Sequence, residues 1–329
     1  MTKGIGRLLQ VGIAKETTRG TAPSTADFYI PFSDVSFDEK WENALDEQSI
    51  GVIEDSKGQS RTKSWAEGKL TAPIEDQSFP LVIYGALGSY TKSTNSDVSG
   101  NVIDHTFTVS QSAQHQSLAF YIDDPLAGAD YKYANGMVDS LEINYELKKF
   151  LDFSLNLMTV SGASASLTPS STAQNRFLPQ HLTFKVAASY ATLSTGTAVS
   201  LKSMKLKITK NVESDDVLGS TSPADFLNKQ FIIEGTIEAL WQNESDFKTA
   251  ALAGTAKALR LDLINTDVTT GTAANPRLRI DLAKVVFTEL TRPLVLNDLV
   301  KQTLSFKAHY STTDSLMVSV LATNLKTTY

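Results

Sequence analysis

The sequence predicts a mainly β protein made of two similar halves, and three observations support this prediction. Apolar and polar residues alternate with a period of two in many segments, which is the pattern of strands with one buried face. Helix signals occur in only two short segments. A small, polar stretch near the midpoint of the 329 residues separates two halves that can be aligned with each other. A chain of this length is ample for a substantial hydrophobic core.

Strands are predicted wherever the alternation is clear. One apolar face and one polar face are typical of antiparallel sheets, whereas strands of parallel sheets are buried on both faces. The alternating segments, in chain order, are 141–147, 153–157, 204–209, 231–239 and 304–310.

Two short helices are predicted from their end signals. The first begins at Ser78, has Pro80 in its first turn and stops at Gly88. The second begins at Ser245 and stops at Gly254. Proline just inside the start and glycine just past the end are the expected asymmetry of a helix. The side chains predicted to be buried are Phe79, Val82, Ile83 and Leu87 in the first helix, and Phe247, Ala251 and Leu252 in the second.

The alignment of the two halves predicts a duplication. Residues 43–51 align with 211–219 and residues 67–72 with 234–239, and the distance between matching residues shortens along the chain. Chance similarity between alternating segments rich in Gly, Ser and Thr is the alternative. The predicted division is a first fold with an N-terminal arm at 1–165, a linker at 166–177 and a second fold at 178–329. The linker composition is small, polar and patternless.

The composition argues against several classes of function. The chain has no cysteine, which excludes disulfide scaffolds, thiolate metal sites and cysteine nucleophiles. Its formal net charge of −6 argues against an electrostatic nucleic-acid binder. The four histidines share no metal-binding spacing, so no metal is predicted. The acidic clusters show no catalytic arrangement, and no phosphate-binding or nucleophile motif occurs, so no catalytic residue or cofactor is predicted. No segment resembles a membrane span or a signal peptide, so folding in a cytoplasm and no membrane partner are expected.

Several short motifs resemble those of a known family. Residues 9–22 contain Lys-Glu-Thr followed by Gly-Thr-Ala, and Tyr29-Ile-Pro-Phe follows. A long loop precedes a Trp-x-Glu-Gly strand at Trp65, and a predicted helix comes after it. In this layout the chain resembles the major tail tube protein of long-tailed (siphovirus-type) bacteriophages, in its duplicated-fold type.

The resemblance implies a specific architecture and role. The fold would be two tandem tail-tube folds, each a β-sandwich or split barrel with a short flanking helix, whose strands join an inter-subunit β-barrel. Rings would stack into the tail tube of the virion, which houses the tape measure protein and conducts DNA during ejection without specific binding. A duplicated chain implies trimeric rings with pseudo-sixfold symmetry, and hexameric rings are the alternative. The tail terminator and the distal tail or baseplate proteins would be further partners.

Two groups of residues are predicted to take part in the assembly. Loops 43–61 and 211–228 are expected to contact the adjacent subunit or ring, through the candidates Asn43, Asp46, Glu47, Ile50, Val52, Asp55, Lys57, Asp215, Asp216 and Leu218. Polar strand faces are expected to line the channel, or alternatively to face outer solvent or the helix. The channel candidates are Glu142, Asn144, Glu146, Glu234, Thr236 and Glu238.

Two other classes of function stay open at this point. One is a different self-assembling β protein, such as a capsid decoration or surface-layer subunit. The other is a carbohydrate-binding or hydrolytic β-sandwich.

Overall fold

The computed structural model describes residues 5–95, 101–125, 130–240, 247–294, 296 and 299–329. It confirms the predicted mainly β class, because antiparallel strands dominate these residues and only two short α-helices, α1 (Phe79–Leu87) and α2 (Lys248–Ala253), accompany them. The strands of the first half are β1 (Gln10–Lys15), β2 (Phe28–Ile30), β3 (Asp34–Leu45), β4 (Gln59–Pro73), β5 (Gly88–Thr94), β6 (Ile103–Val109), β7 (Leu118–Asp123), β8 (Tyr131–Glu146), β9 (Asp152–Thr159) and β10 (Ala163–Ser164).

The second half continues the same architecture. Its strands are β11 (Leu182–Ala187), β12 (Thr197–Ala198), β13 (Leu201–Thr209), β14 (Val212–Asp215), β15 (Asp225–Asn228), β16 (Ile232–Leu240), β17 (Lys257–Ile264), β18 (Arg277–Thr291), β19 (Lys301–His309) and β20 (Val318–Asn324). Short 3-10 turns cover Gly6–Leu8, Pro179–His181 and Tyr190–Thr195.

One antiparallel sheet of eight strands runs through both halves, and we call it the eight-stranded sheet. Its strand order is β3-β4-β9-β8-β13-β16-β19-β18. The first four strands come from the first half and the last four from the second. The halves meet where β8 pairs with β13, with Ile143 opposite Leu206.

Two outer sheets form the second layer of the sandwich. The first has the order β2-β1-β7-β8-β10, and the second has the order β12-β11-β17-β18-β20-β6-β5. β8 and β18 belong to both layers: their N-terminal parts pair in the outer sheets and their C-terminal parts in the eight-stranded sheet. The second outer sheet joins the halves again, because β6 pairs with β20.

The alternation in sequence corresponds to the two faces of the eight-stranded sheet. Leu141, Ile143 and Tyr145 of β8 are buried, as are Leu206 and Ile208 of β13. These apolar side chains belong to one hydrophobic cluster that extends through both halves. The polar residues between them lie on the opposite face, away from that core.

The helices begin and end close to the predicted residues. Gly88 ends α1 and Gly254 ends α2, both in the left-handed conformation that favours glycine. Ser78 precedes α1 as predicted, but its side chain makes no capping hydrogen bond. The predicted start of the second helix, Ser245, lies outside the described residues. The predicted burial of Leu252 is wrong: its side chain is 77% exposed, and Ala250 is buried instead.

Strand pairing follows the same plan in the two halves. The β3–β4 hairpin has its counterpart in β13–β16, and the group β7-β8-β9 in β17-β18-β19. The first half alone inserts the β5–β6 hairpin after its helix, since only residues 254–256 separate α2 from β17. The connection between β17 and β18 is longer than that between β7 and β8. The sequence distance between matching residues was predicted to shorten steadily along the chain. This prediction is wrong, because the extra hairpin in the first half shortens that distance and the longer β17–β18 connection lengthens it again.

The segment between the halves is irregular but attached. Residues 165–175 contain no helix or strand. Gln174 accepts a hydrogen bond from the Ser78 backbone at 2.6 Å, and Asn175 donates one to Asp76. These contacts fix the end of the segment beside the start of α1. Among the described helices, none has the length and apolarity needed to cross a bilayer.

Candidate assembly interface

The eight-stranded sheet ends in two open edges. β3 pairs with β4 along one side, and no described residue pairs with its other side. At the other end of the sheet, residues 286–291 of β18 pair only with β19 among the described residues. Within the described part of the chain, both edges carry backbone donors and acceptors that have no strand partner, and such edges are templates for pairing with another strand.

The chain contains an internal example of the joint that these edges could make. β8 of the first half and β13 of the second pair from Ser140 opposite Thr209 to Glu146 opposite Ser203. By the correspondence of the halves, β18 is the counterpart of β8 and β3 the counterpart of β13. The two strands that pair inside the chain, β8 and β13, thus have β18 and β3 as their counterparts at the two edges of the sheet.

A buried lysine lies at the internal joint and contacts the first half. The Nζ of Lys210, directly after β13, donates to the Gly85 carbonyl at 3.0 Å and contacts the Met137 sulfur at 3.2 Å. Burial lowers the pKa of Lys210 to about 7, and the nearby positive charge of Arg19 acts in the same direction. The negative charge of the Asp139 carboxylate opposes this shift. The same carboxylate accepts a hydrogen bond from the Val212 backbone at 3.1 Å.

The six channel candidates lie on one face of the eight-stranded sheet, the one that does not pack on the core. Cross-strand ion pairs neutralise part of this polar face. Glu142 pairs with Lys205 at 2.8 Å, and Glu234 pairs with Lys307 at 3.0 Å. A longer contact joins Glu238 to Lys301 at 4.0 Å. The remaining candidates on this face are Asn144, Glu146 and Thr236.

The first predicted contact loop is shorter than expected. β3 continues to Leu45 and β4 begins at Gln59, so Asn43 lies within a strand and its amide donates to Gln59 at 3.4 Å. Strand pairing between these residues outweighs their polar, loop-like composition. Residues 46–58, which we call the tip loop, connect the two strands. Within this loop Lys57 pairs with Asp46 at 3.3 Å. The candidates Glu47, Ile50, Val52 and Asp55 are exposed.

The second predicted contact loop contains structure of its own. Its ends form the hairpin β14–β15, in which Asp215 lies opposite Asp225. The hairpin binds to the first half of the same chain: Asp216 pairs with Lys63 at 2.7 Å, and Asp225 pairs with Arg19 at 2.7 Å. Leu218, beyond β14, is fully exposed. The prediction of an unstructured loop for 211–228 is wrong, because these side chains hold the hairpin against its own chain.

Three of the four histidines have structural partners. His105 is buried and bonds to Tyr90 and Asn324, while His115 is buried against backbone carbonyls. Burial lowers the pKa of both imidazoles to about 4. His181 contacts Asp267 at 3.0 Å. Within the described part of the chain, no group of three His, Asp or Glu side chains is placed to hold a metal ion.

The open end of β18 was not predicted from the sequence. The signal was present, since Leu278, Ile280 and Leu282 alternate with polar residues just before it. Periodicity marks such a segment as a strand, but it does not show which of its edges lacks a partner.

Comparison with known proteins identifies the family of the chain. A search of curated proteins finds no match. The family model described as phage tail tube protein matches residues 6–308, which is nearly the whole chain. The chain therefore belongs to the phage tail tube proteins, a structural family of the virion tail.

Proposed function

We propose that this chain is a non-enzymatic structural protein that polymerises as stacked rings into the tail tube. We also propose that residues 1–165 and 178–329 are two copies of one fold, joined by residues 166–177. The recurrence of the same strand pairings in both halves supports the duplication. The observation that carries the proposal of rings is the pair of open edges, β3 and the end of β18, at opposite ends of one sheet.

In this proposal the open end of β18 pairs with β3 of the next copy. The register follows from the internal joint. The bulges in β8 and β18 fall at equivalent places, after Val138 and after Phe287, and this aligns the two strands. The alignment places Glu289 opposite Lys40, and opposite charges on directly facing strands stabilise pairing.

An exposed aromatic side chain supports the same joint. Trp41 of β3 occupies the position equivalent to Lys210, which is buried where β8 meets β13. In the single chain Trp41 is exposed and lies under the Arg61 guanidinium. A neighbouring copy would cover it, as the first half covers Lys210.

Three chains, each with two folds, would make a ring with pseudo-sixfold symmetry, and hexameric rings are the alternative. The polar face of the eight-stranded sheet would line the channel, which would house the tape measure protein and pass DNA without specific binding. The tail terminator and the distal tail or baseplate proteins would bind the two ends of the tube.

A cysteine pair tests both the pairing of β18 with β3 of the next copy and the number of chains in a ring. The natural chain has no cysteine, so Lys40→Cys with Glu289→Cys adds the only two thiols. Oxidation of assembled protein should give a covalent species of three chains on a non-reducing gel. Six chains would refute the trimer and keep the joint, whereas monomers alone would refute the joint.

Glu39→Cys with Glu289→Cys is the matched control. Side chains alternate between faces along a strand, so this change turns one thiol to the opposite face. The control should not cross-link. Axial views in electron microscopy should show the same threefold symmetry independently.

A further inference from the structure

We propose that the connection between β18 and β19 docks on the N-terminal segment of the next copy in the same ring. We call residues 292–300 the apolar connection, since five of these nine residues are Leu or Val. We call Leu9, Phe32 and Val35 together the N-terminal patch. This inference rests on the proposed pairing of β18 with β3 of the next copy, and it adds a contact beyond the end of β18.

The first half contains a counterpart of the apolar connection. Val138 and Phe287 precede equivalent bulges, and they are 149 positions apart in sequence. Their partners on the following strands, Leu157 and Phe306, are also 149 positions apart. The β8–β9 and β18–β19 connections therefore have the same length, and residues 145–151 correspond to residues 294–300.

Equivalent residues of the two connections differ in burial. In the first half Tyr145 is 3% exposed and Leu151 is fully buried. Their counterparts in the apolar connection, Leu294 and Val300, are 70% and 37% exposed. Leu296 lies between these two in sequence and is 89% exposed. A surface that is buried in one half and exposed in the other has no equivalent cover among the described residues of the single chain.

The strand pairing shows the same difference. β8 continues to Glu146, which lies opposite Ser203 of β13. β18 ends at Thr291, which corresponds to Glu142 of β8. β8 is thus longer than its counterpart at the end where the second half supplies a neighbouring strand. A neighbouring strand from another copy would let β18 continue in the same way.

The second half covers the connection of the first half with apolar side chains. Met204 of β13 lies directly opposite Tyr145. Leu182 and Leu201 lie with Leu151 around one cavity beside this pair. The cover therefore comes from the start of β11 and from the start of β13.

The N-terminal patch contains the counterparts of these covering residues. Matching the strand pairings of the two halves gives three equivalences: Leu9 with Leu182, Phe32 with Leu201, and Val35 with Met204. Each residue of the patch is apolar, and each is only partly buried in the single chain. Apolar surface that is left partly exposed is gained from water when a partner covers it.

The proposed register brings the two surfaces together without adjustment. It places Glu289 opposite Lys40, and the strands would be antiparallel, so Leu294 would lie opposite Val35. This pair would reproduce the internal pair of Tyr145 and Met204. The occupant of the N-terminal patch is therefore a second copy of the chain in the same ring.

Disulfide trapping tests this contact. Leu294→Cys with Val35→Cys should cross-link neighbouring chains when assembled protein is oxidised, and the covalent species should match that from Lys40→Cys with Glu289→Cys. Leu294→Cys with Asp34→Cys is the matched control and should not cross-link, because adjacent residues of a strand point to opposite faces.

The two cysteine pairs also separate this inference from the proposed function. Cross-linking between residues 40 and 289 without cross-linking between residues 294 and 35 would overturn the docking and leave the proposed ring intact. Cross-linking of the Asp34 control at an equal yield would overturn the docking as well. Absence of cross-linking in both pairs would refute the pairing of β18 with β3 and this inference with it.

Polar substitution tests the apolar character of the contact. Leu294→Ser with Leu296→Ser should leave the melting temperature of the monomer unchanged, because both side chains are exposed there. The protein concentration at which half of the chains form rings should rise about tenfold or more, as measured by analytical ultracentrifugation. The conservative variant, Leu294→Met with Leu296→Met, should assemble like the natural chain.

Leu252→Ser is the control for the loss of an exposed leucine. Leu252 is 77% exposed on α2, away from the apolar connection in sequence, and its loss should not change ring formation. Ring formation by the double serine variant at the concentration of the natural chain would overturn the proposal. An equal loss of rings in the Leu252 variant would overturn it too, since the effect would then not belong to the apolar connection.

Discussion

Two glycines at equivalent positions of the halves illustrate the fold at the scale of single residues. A side chain on Gly68 would collide with the backbone of Ser36 and Phe37 on the neighbouring strand. A side chain on Gly235 would collide with the Lys205 carbonyl and the Phe306 ring. The shared glycine in the two aligned segments thus has a physical reason, which is the close approach of a neighbouring strand.

Gly235→Ala should lower the free energy of unfolding by about 1–3 kcal/mol, because the added methyl group forces the strands apart. Gly58→Ala is the matched control, since nothing lies near that position, and its effect should be within about 0.5 kcal/mol. Urea denaturation of both variants measures the difference. Equal stability of the two variants would contradict the close packing at Gly235.

Lys210 makes the stability of the chain depend on pH. Its pKa is about 7 in the folded chain and near 10.5 when unfolded, so the unfolded state binds more protons between these values. The free energy of unfolding should therefore rise with pH from about 7 to about 10, by up to about 1.4 kcal/mol per pH unit.

Lys210→Met should remove this rise, as measured by urea denaturation at several pH values. Lys205→Met changes a half-exposed lysine of the polar face and should retain it. A rise of the same size in the Lys210 variant would assign the effect to another group.

At the scale of elements, the two helices differ in how deeply they are buried. Leu87 of α1 is fully buried, so Leu87→Asp should cost several kcal/mol by placing an unpaired charge in the core. Leu252→Asp in α2 is the control, because that side chain is already exposed. Soluble yield and melting temperature should fall sharply for the first variant only. Equal melting temperatures would refute the burial of α1.

The sequence predicted the strands and helices better than it predicted which strands pair with each other. Period-two alternation identified β8, β9, β13, β16 and β19, and their apolar residues face the core as expected. Glycine signals located the ends of both helices. Leu252 was misplaced because a helix of six residues is too short for its apolar face to be inferred from spacing. The β8–β13 and β6–β20 pairings join residues far apart in the chain, and no local pattern specifies such partners.

The candidate assembly residues were predictable only in part. Alternation predicts that Glu142 and Glu234 lie on the polar faces of their strands, and in the fold they share one face of the sheet; their place in a channel stays a prediction. The hairpin at 212–228 was not predicted, because its attachment depends on Arg19 and Lys63 of the other half.

At the scale of the whole molecule, the polar face balances its charges. Its lysines face glutamates on neighbouring strands, which limits their attraction for phosphates. Glu142→Gln with Glu234→Gln should free Lys205 and Lys307 and create DNA binding that weakens with salt.

Fluorescence anisotropy with a short labelled duplex, at low and physiological salt, measures this effect. Glu213→Gln is the control, because it removes the ion-pair partner of Lys229, directly after β15, and leaves the polar face unchanged. Tight binding by the natural chain would contradict the assignment of this face to a DNA channel.

The pairing of β6 with β20 has a mechanical consequence for the proposed tube. The boundary between the halves inside a chain is held in both layers, by β8–β13 and by β6–β20. The second half has no counterpart of the β5–β6 hairpin, so the boundary between chains would be held in one layer only. Load shared by two joints in parallel strains each of them less. A bent tube should therefore yield at three seams per ring, one third of a turn apart, while every chain stays intact.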